Sequence, residues 1–123
     1  MNDIEELLSK SNLPEDQKQR ILDFQEEVNQ DQLPIDYHSL KEGIHVLSQN
    51  QITVRPSFGL SRKGKFCLIF RQSSSFKLYA KFIGDSTVIY VLTTPYFGTI
   101  SDQVDIKTFE DLMKTKLVQS LLK

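Results

Sequence analysis

The sequence has little of what most catalytic and metal sites are built from. Its 123 residues include one cysteine, two histidines and no tryptophan. The single cysteine, Cys67, excludes an internal disulfide, which favours an intracellular protein, cytoplasmic or nuclear. Both histidines fall on one predicted helix, so a Ser-His-Asp set has little support. We therefore expect a protein that is not an enzyme and that holds no metal or cofactor.

Long apolar runs are also missing. No stretch approaches the ~18 residues of a membrane-spanning helix. The first residues, Met-Asn-Asp-Ile-Glu-Glu, lack the basic and then apolar layout of a signal peptide. An apolar fraction of 39% and a charged fraction of 25% are typical of a globular domain. We predict one domain over residues 1–123, with no membrane partner.

The net charge of −1 hides an uneven distribution along the chain. Residues 1–50 hold eleven acids and four bases, residues 51–100 hold one acid and seven bases, and residues 101–123 hold four of each. Such asymmetry indicates an interaction surface of one sign. The sequence therefore predicts an acidic part over 1–50 and a basic part that follows it.

Residues 64–94 organise the chain. Three segments rich in aromatic and β-branched residues are separated by a serine turn and a Gly-Asp turn. Ile52–Arg55 reads as a short strand that ends at Pro56, Phe58–Lys65 as a loop, and Thr99–Val104 as one more short strand. We predict an antiparallel β-meander of four to five strands within 51–104.

Helical patterns flank this meander. Apolar spacing predicts helices over residues 3–10, from Asn12 (a candidate cap) to about Gln30, and from Asp36 to about Ser48. One further helix is predicted within 105–123. The fold class is therefore α+β with two layers, in which the N-terminal helices and the C-terminal helix pack on the meander.

Alternation along the strands separates two faces of the predicted sheet. With the turn at Ser73–Ser75, Phe70 lies opposite Leu78 and Phe66 opposite Phe82, which forms a core face. The same register places Arg71 opposite Lys77 on the second face. Residues Val88–Leu92 are apolar on both sides, so we expect the C-terminal helix or a partner to cover part of that face.

Two local patterns resemble known sites incompletely. Residues Gly59–Lys65 match the first seven positions of a phosphate-binding loop, but Phe66 stands where a Mg²⁺-binding hydroxyl is needed, and a strand follows instead of a helix. His38, Glu42 and His45 share one side of a helix without a second set of ligands. We interpret the first as a basic hairpin loop and the second as a solvated face.

The remaining candidate site is the set of basic and aromatic residues in the meander. Its members are Arg55, Arg62, Lys63, Lys65, Arg71, Lys77, Tyr79 and Lys81, and Tyr90 could join them. We predict a non-enzymatic interaction subunit or adaptor that uses this basic rim and the acidic helical surface, with an acidic protein as partner. The alternative is a module that binds RNA or single-stranded DNA through bases stacked on the aromatics. A small enzyme is the third reading.

Overall fold

Five helices and a five-stranded antiparallel sheet make up the fold. The computed structural model describes residues 3–50, 52 and 55–122. The helices are α1 (Asp3–Lys10), α2 (Glu15–Gln30), α3 (Tyr37–Gln49), α4 (Ile106–Met113) and α5 (Lys116–Leu122). The strands are β1 (Ser57–Leu60), β2 (Phe66–Ser73), β3 (Phe76–Phe82), β4 (Thr87–Thr94) and β5 (Gly98–Asp105). The strand order β1-β2-β3-β4-β5 confirms the predicted α+β meander.

The register of the central strands follows from their apolar alternation. Phe70 lies opposite Leu78 and Arg71 opposite Lys77, as predicted. A slip of one residue would move every apolar side chain to the other face, so burial of one face determines the pairing. The turn is shorter than predicted: Ser73 belongs to β2, and the register shifts between Arg71 and Ser73.

The helices cover one face of the sheet. Fully buried side chains from β2, β3 and β4 form one cluster with residues from all five helices. Phe82 and Tyr90 both pack against the Phe109 ring of α4, with centroids 6.1 Å and 6.0 Å apart. The aromatic contacts continue from Phe82 through Phe66 to Phe24 of α2. The chain therefore has a single core between its two layers.

Helix α3 makes an unusually close approach to the end of the sheet. The buried Ser39 hydroxyl donates to the Phe82 carbonyl at 2.5 Å and accepts from the Phe66 amide at 2.6 Å. One turn later, a Cβ added to Gly43 would lie 2.3 Å from Cδ2 of Phe66. The glycine that weakens the helix in isolation is thus needed for packing.

Several local predictions are corrected by the structure. Helix α2 begins after Pro14 without a side-chain cap, so Asn12 does not cap it. Residues Ser57–Leu60 form strand β1 instead of a loop, because Phe58 packs on Phe24 and Phe66 although Gly59 interrupts the apolar pattern. Residues 53 and 54, in the middle of the strand predicted at Ile52–Arg55, lie outside the described residues.

The C-terminal helix is two helices. The Lys114 amide donates to the carbonyls of Glu110 and Asp111, which ends α4. The Thr115 hydroxyl donates to the Leu112 carbonyl at 2.7 Å and accepts from the Val118 amide at 3.4 Å. Thr115 therefore closes one helix and opens the next, while the apolar stripe continues across the break.

Candidate functional site

The sheet face opposite the helices, here named the helix-free face, is the candidate site. Alternation places on it the residues that lie between the core-facing positions of each strand. Its partly buried apolar members, Ile69, Ile89 and Val91, do not belong to the core cluster or to the residues packed on it. The C-terminal helices pack on the core face, so of the two predicted covers for this second face the C-terminal helix is wrong and a partner stays a prediction.

Paired positions arrange the helix-free face in three cross-strand rows. The central row is Ser57, Ile69, Tyr79, Val91 and Ser101; one flanking row is Arg71, Lys77, Thr93 and Thr99; the other is Gly59, Cys67, Lys81, Ile89 and Gln103. An apolar row thus runs between two rows that carry bases. This layout resembles the apolar centre and polar rim of protein interfaces.

The charge on the helix-free face is positive. Arg71 is exposed and Lys77 half-buried, and the two lie directly opposite each other, which is an unfavourable pairing of like charges. Lys81 adds a third base toward the other end of β3. Asp105, at the end of β5, is an acid whose position in the alternation also places it on the helix-free side. Its carboxylate accepts from the Thr108 amide at 2.7 Å. The three rows themselves carry bases and no acid.

Tyr79 connects the central row to Cys67. Its hydroxyl lies 3.0 Å from the Cys67 sulfur on the neighbouring strand. Burial and this contact raise the pKa of Tyr79 to about 12. Burial also raises the pKa of the Cys67 thiol, so the thiol stays protonated near neutrality. Cys67 therefore fills space between strands, and the Tyr79 hydroxyl is already engaged.

The basic loop between β1 and β2 is a hairpin tip. The Gly64 amide donates to the Ser61 carbonyl at 3.0 Å, and Gly64 has a φ of 80°. Arg62 and Lys63 are exposed at this tip, and Lys65 pairs with Asp36 at 2.5 Å. Strand β2 follows, so the loop lacks the helix N-terminus that a phosphate-binding loop needs.

The candidate residues do not form one continuous site. Arg71, Lys77, Tyr79 and Lys81 share the helix-free face. Arg55 forms an ion pair with Asp16 on α2, and Lys65 forms one with Asp36 next to α3. Tyr90 is only 9% exposed and faces the core, so the prediction that it joins the basic face is wrong.

Glu42 is not a solvated side chain, contrary to prediction. Its carboxylate accepts from the Gly84 amide at 2.9 Å and from the Ser86 amide at 2.6 Å, which holds the β3–β4 turn against α3. His38 and His45 are exposed. In the described part of the chain, no three His, Cys, Asp or Glu side chains are grouped so that they could hold a metal ion.

A second exposed feature was not predicted. Tyr96, Phe97 and Ile100 are 78%, 52% and 40% exposed at the β4–β5 turn and on the adjacent strand. The sequence hinted at this feature through two adjacent aromatic residues between Pro95 and Gly98. That pattern by itself predicts only a turn. The alternation of apolar residues could not show that Ile100 lies outside the buried core and stays exposed.

The concave regions are small and lie among the helices. One cleft of about 360 Å³ is lined by the α1–α2 connection, the end of α3 and Pro56. None of the described helices is long and apolar enough to cross a membrane. The basic sheet face is therefore a stronger site candidate than this cleft.

Neither a family model, nor a curated protein, nor a solved structure matches this chain.

Proposed function

We propose that the protein is a non-enzymatic interaction subunit that docks an acidic protein surface on its helix-free face. The observation that carries this proposal is the arrangement of that face: Arg71, Lys77 and Lys81 flank the apolar row of Ile69, Tyr79 and Val91. Partial burial of an apolar centre gives affinity, and the surrounding bases steer and orient an acidic partner.

Protein fits this face better than nucleic acid. Sheets that bind single strands stack several bases on exposed aromatic rings. The rows of the helix-free face contain one aromatic residue, Tyr79, which is half-buried with its hydroxyl against Cys67. RNA or single-stranded DNA remains the alternative ligand, because the three bases could contact phosphates.

The acidic helices supply the second surface of the proposed subunit. Glu26 and Glu27 are exposed on α2, while Ile21 and Val28 of the same helix are buried. The acids therefore point away from the sheet. A molecule with a basic sheet side and an acidic helical side can contact two partners at once, as an adaptor does.

A comparison of charge-reversed variants tests the proposal. The protein with Arg71→Glu and Lys77→Glu is compared with wild type by quantitative affinity capture from its native cells. The double variant should lose the partner, because the docking charges are reversed. The control Lys114→Glu with Lys116→Glu, exposed at the α4–α5 turn, should capture this partner as wild type does. Glu26→Lys with Glu27→Lys, on the acidic helical surface, should also keep this partner, although it could lose a partner of that second surface.

Two outcomes decide the proposal. Normal capture by the Arg71/Lys77 variant at physiological salt, with the fold intact by circular dichroism, would contradict it. Direct titration with labelled oligo(U) and oligo(dT) tests whether the face binds nucleic acid. Tight, salt-sensitive binding that the Arg71/Lys77 variant loses would assign the face to nucleic acid instead of protein.

A further inference from the structure

Strand β5 is a long and exposed edge of the sheet. In the described residues it pairs with β4 alone, and its residues Gly98 to Gln103 are all exposed. Its sequence, GTISDQVD, contains no proline or lysine, two residues that commonly protect edge strands from pairing. The edge from Gly98 to Gln103 is therefore exposed to an incoming strand.

The opposite edge of the sheet is protected. Strand β1 has only four residues and follows Pro56. Arg20 of α2 lies over the Phe58 ring at 4.8 Å, and its guanidinium donates to the Pro56 carbonyl at 2.7 Å. The contrast between the two edges singles out β5.

The hydrogen-bonding pattern identifies the backbone groups that point outward from β5. The Ile106 amide donates to the Ser86 carbonyl, in register with the β4–β5 pairs. Because bonded and non-bonded pairs alternate in an antiparallel ladder, the even-numbered residues of β5 bond to β4. The amides and carbonyls of Thr99, Ser101 and Gln103 are therefore directed away from the sheet.

Charge around β5 selects the kind of strand that can pair with it. Strand β5 contains Asp102 and Asp105 and no lysine or arginine, Asp85 lies in the β3–β4 turn, and the nearest base in sequence is Lys107 of α4. The Asp102 carboxylate accepts from the outward-facing Gln103 amide at 2.8 Å. A basic side chain on an incoming strand would attract that carboxylate and free the amide for main-chain pairing.

We propose that β5 adds an extended, basic segment of a partner protein to the sheet through its free edge. Main-chain bonds to Thr99, Ser101 and Gln103 would hold the segment, as in β-strand addition. Phe97 and Ile100 would contact its apolar side chains, and Asp102 its lysine or arginine. Two β5 strands from two copies would bring four aspartates together, so charge disfavours self-pairing. This surface is separate from the helix-free face and does not depend on the function proposed for it.

A pair of short peptides tests the proposal directly. The probes are fluorescein-labelled, capped peptides of eight residues, the length of β5, alternating Lys and Val or Glu and Val. The full-length protein should bind the Lys-Val peptide and not the Glu-Val peptide, as measured by fluorescence anisotropy. Asp102→Lys should invert this preference, and Arg71→Glu with Lys77→Glu should leave it unchanged.

Main-chain pairing is tested by removing one outward amide. Ser101→Pro deletes an N–H that makes no bond to β4, and edge strands tolerate proline. Binding of the Lys-Val peptide should weaken about tenfold or more, while Ser101→Ala should bind as wild type does. Equal binding by the folded proline variant, or equal binding of both peptides by wild type, would overturn the proposal.

Amide hydrogen exchange on the wild-type protein keeps the test decisive if the proline variant does not fold. The Lys-Val peptide should slow exchange at Thr99, Ser101 and Gln103, and exchange left unchanged there would refute strand addition. Analytical sedimentation tests whether a second copy of the chain occupies the edge. A dimer that Ser101→Pro converts to monomer would assign the edge to self-association instead.

Discussion

The Asp36 carboxylate has two roles, which it fulfils through three contacts. It caps α3 by accepting from the His38 amide at 2.9 Å and the Ser39 amide at 3.1 Å, and it pairs with Lys65. The hydrogen bond from Lys65 is the main cause that lowers its pKa below the ordinary value of 3.8. Sequence reasoning placed Lys65 in a binding surface, whereas the structure uses it to join the β1–β2 hairpin tip to the start of α3.

The lowered pKa predicts how stability depends on pH. A carboxylate whose folded pKa is depressed stabilises the fold above its unfolded pKa, and this contribution is lost as pH falls through the folded value. Asp36→Asn keeps a good helix cap but removes the charge. Wild type should therefore be more stable than Asp36→Asn by about 1 kcal/mol at pH 7, and the gap should close below pH 3.8.

Thermal melts across acidic and neutral pH measure this gap. Asp31→Asn, at an exposed carboxylate, is the matched control for the loss of one negative charge. A gap for Asp36→Asn that is independent of pH would show that Lys65 does not stabilise the charge.

At the scale of elements, Ser39 joins three of them. Its hydroxyl bonds to both the Phe66 amide of β2 and the Phe82 carbonyl of β3. Phe66 and Phe82 are the next pair in the β2–β3 register after Cys67 and Lys81, so the serine bridges the two strands at this point. Ser39→Ala would leave both buried groups without this partner, at a cost of about 1–3 kcal/mol in the free energy of unfolding. Urea unfolding measures the change.

A second serine on the same helix serves as control. Ser48 donates to the Ile44 carbonyl of its own helix at 2.7 Å, so Ser48→Ala removes a hydroxyl without separating elements. Its loss should stay within about 0.5 kcal/mol. Equal effects of the two substitutions would mean that the bridge between β2 and β3 contributes nothing.

The same elements show what sequence can and cannot predict. Alternation of apolar residues in β2 and β3 predicted their register, because only one register buries Phe70 with Leu78. The break at Thr115 was missed, since the apolar stripe of α4 continues into α5. Alternation also assigned Ile89 and Val91 to a shared face but could not show what lies over it. In the sequence, Gly43 only weakens a predicted helix and Ser39 carries no signal, because their contacts with Phe66 depend on how α3 packs on the sheet.

At the scale of the molecule, charge is divided between layers. Exposed acids such as Glu26 and Glu27 lie on the helical side, and Arg71, Lys77 and Lys81 on the helix-free face. This division predicts retention on a cation exchanger at pH 7 and low salt despite a net charge of −1. Arg71→Glu with Lys77→Glu should abolish retention, because the local field, not the net charge, binds the resin.

The charge-matched control changes net charge equally. Lys114→Glu with Lys116→Glu should elute close to wild type, because both residues lie on the helical layer. Equal retention of the two double variants would show that net charge alone governs binding to the resin and that the molecule is not dipolar.

The order of the strands in the sheet also bears on how the chain folds. Among the described residues, each strand pairs with its neighbours in sequence alone, and the turns from β2 to β5 span two to four residues. Closing such short loops costs little chain entropy, so the sheet contributes low contact order. Contacts between residues far apart in sequence join the helices to the sheet, as those of α3 and α5 with β2 do, and they bring Ile4 of α1 and Leu121 of α5 into one core cluster. Docking of the two ends of the chain on a meander already formed is therefore expected to limit the folding rate.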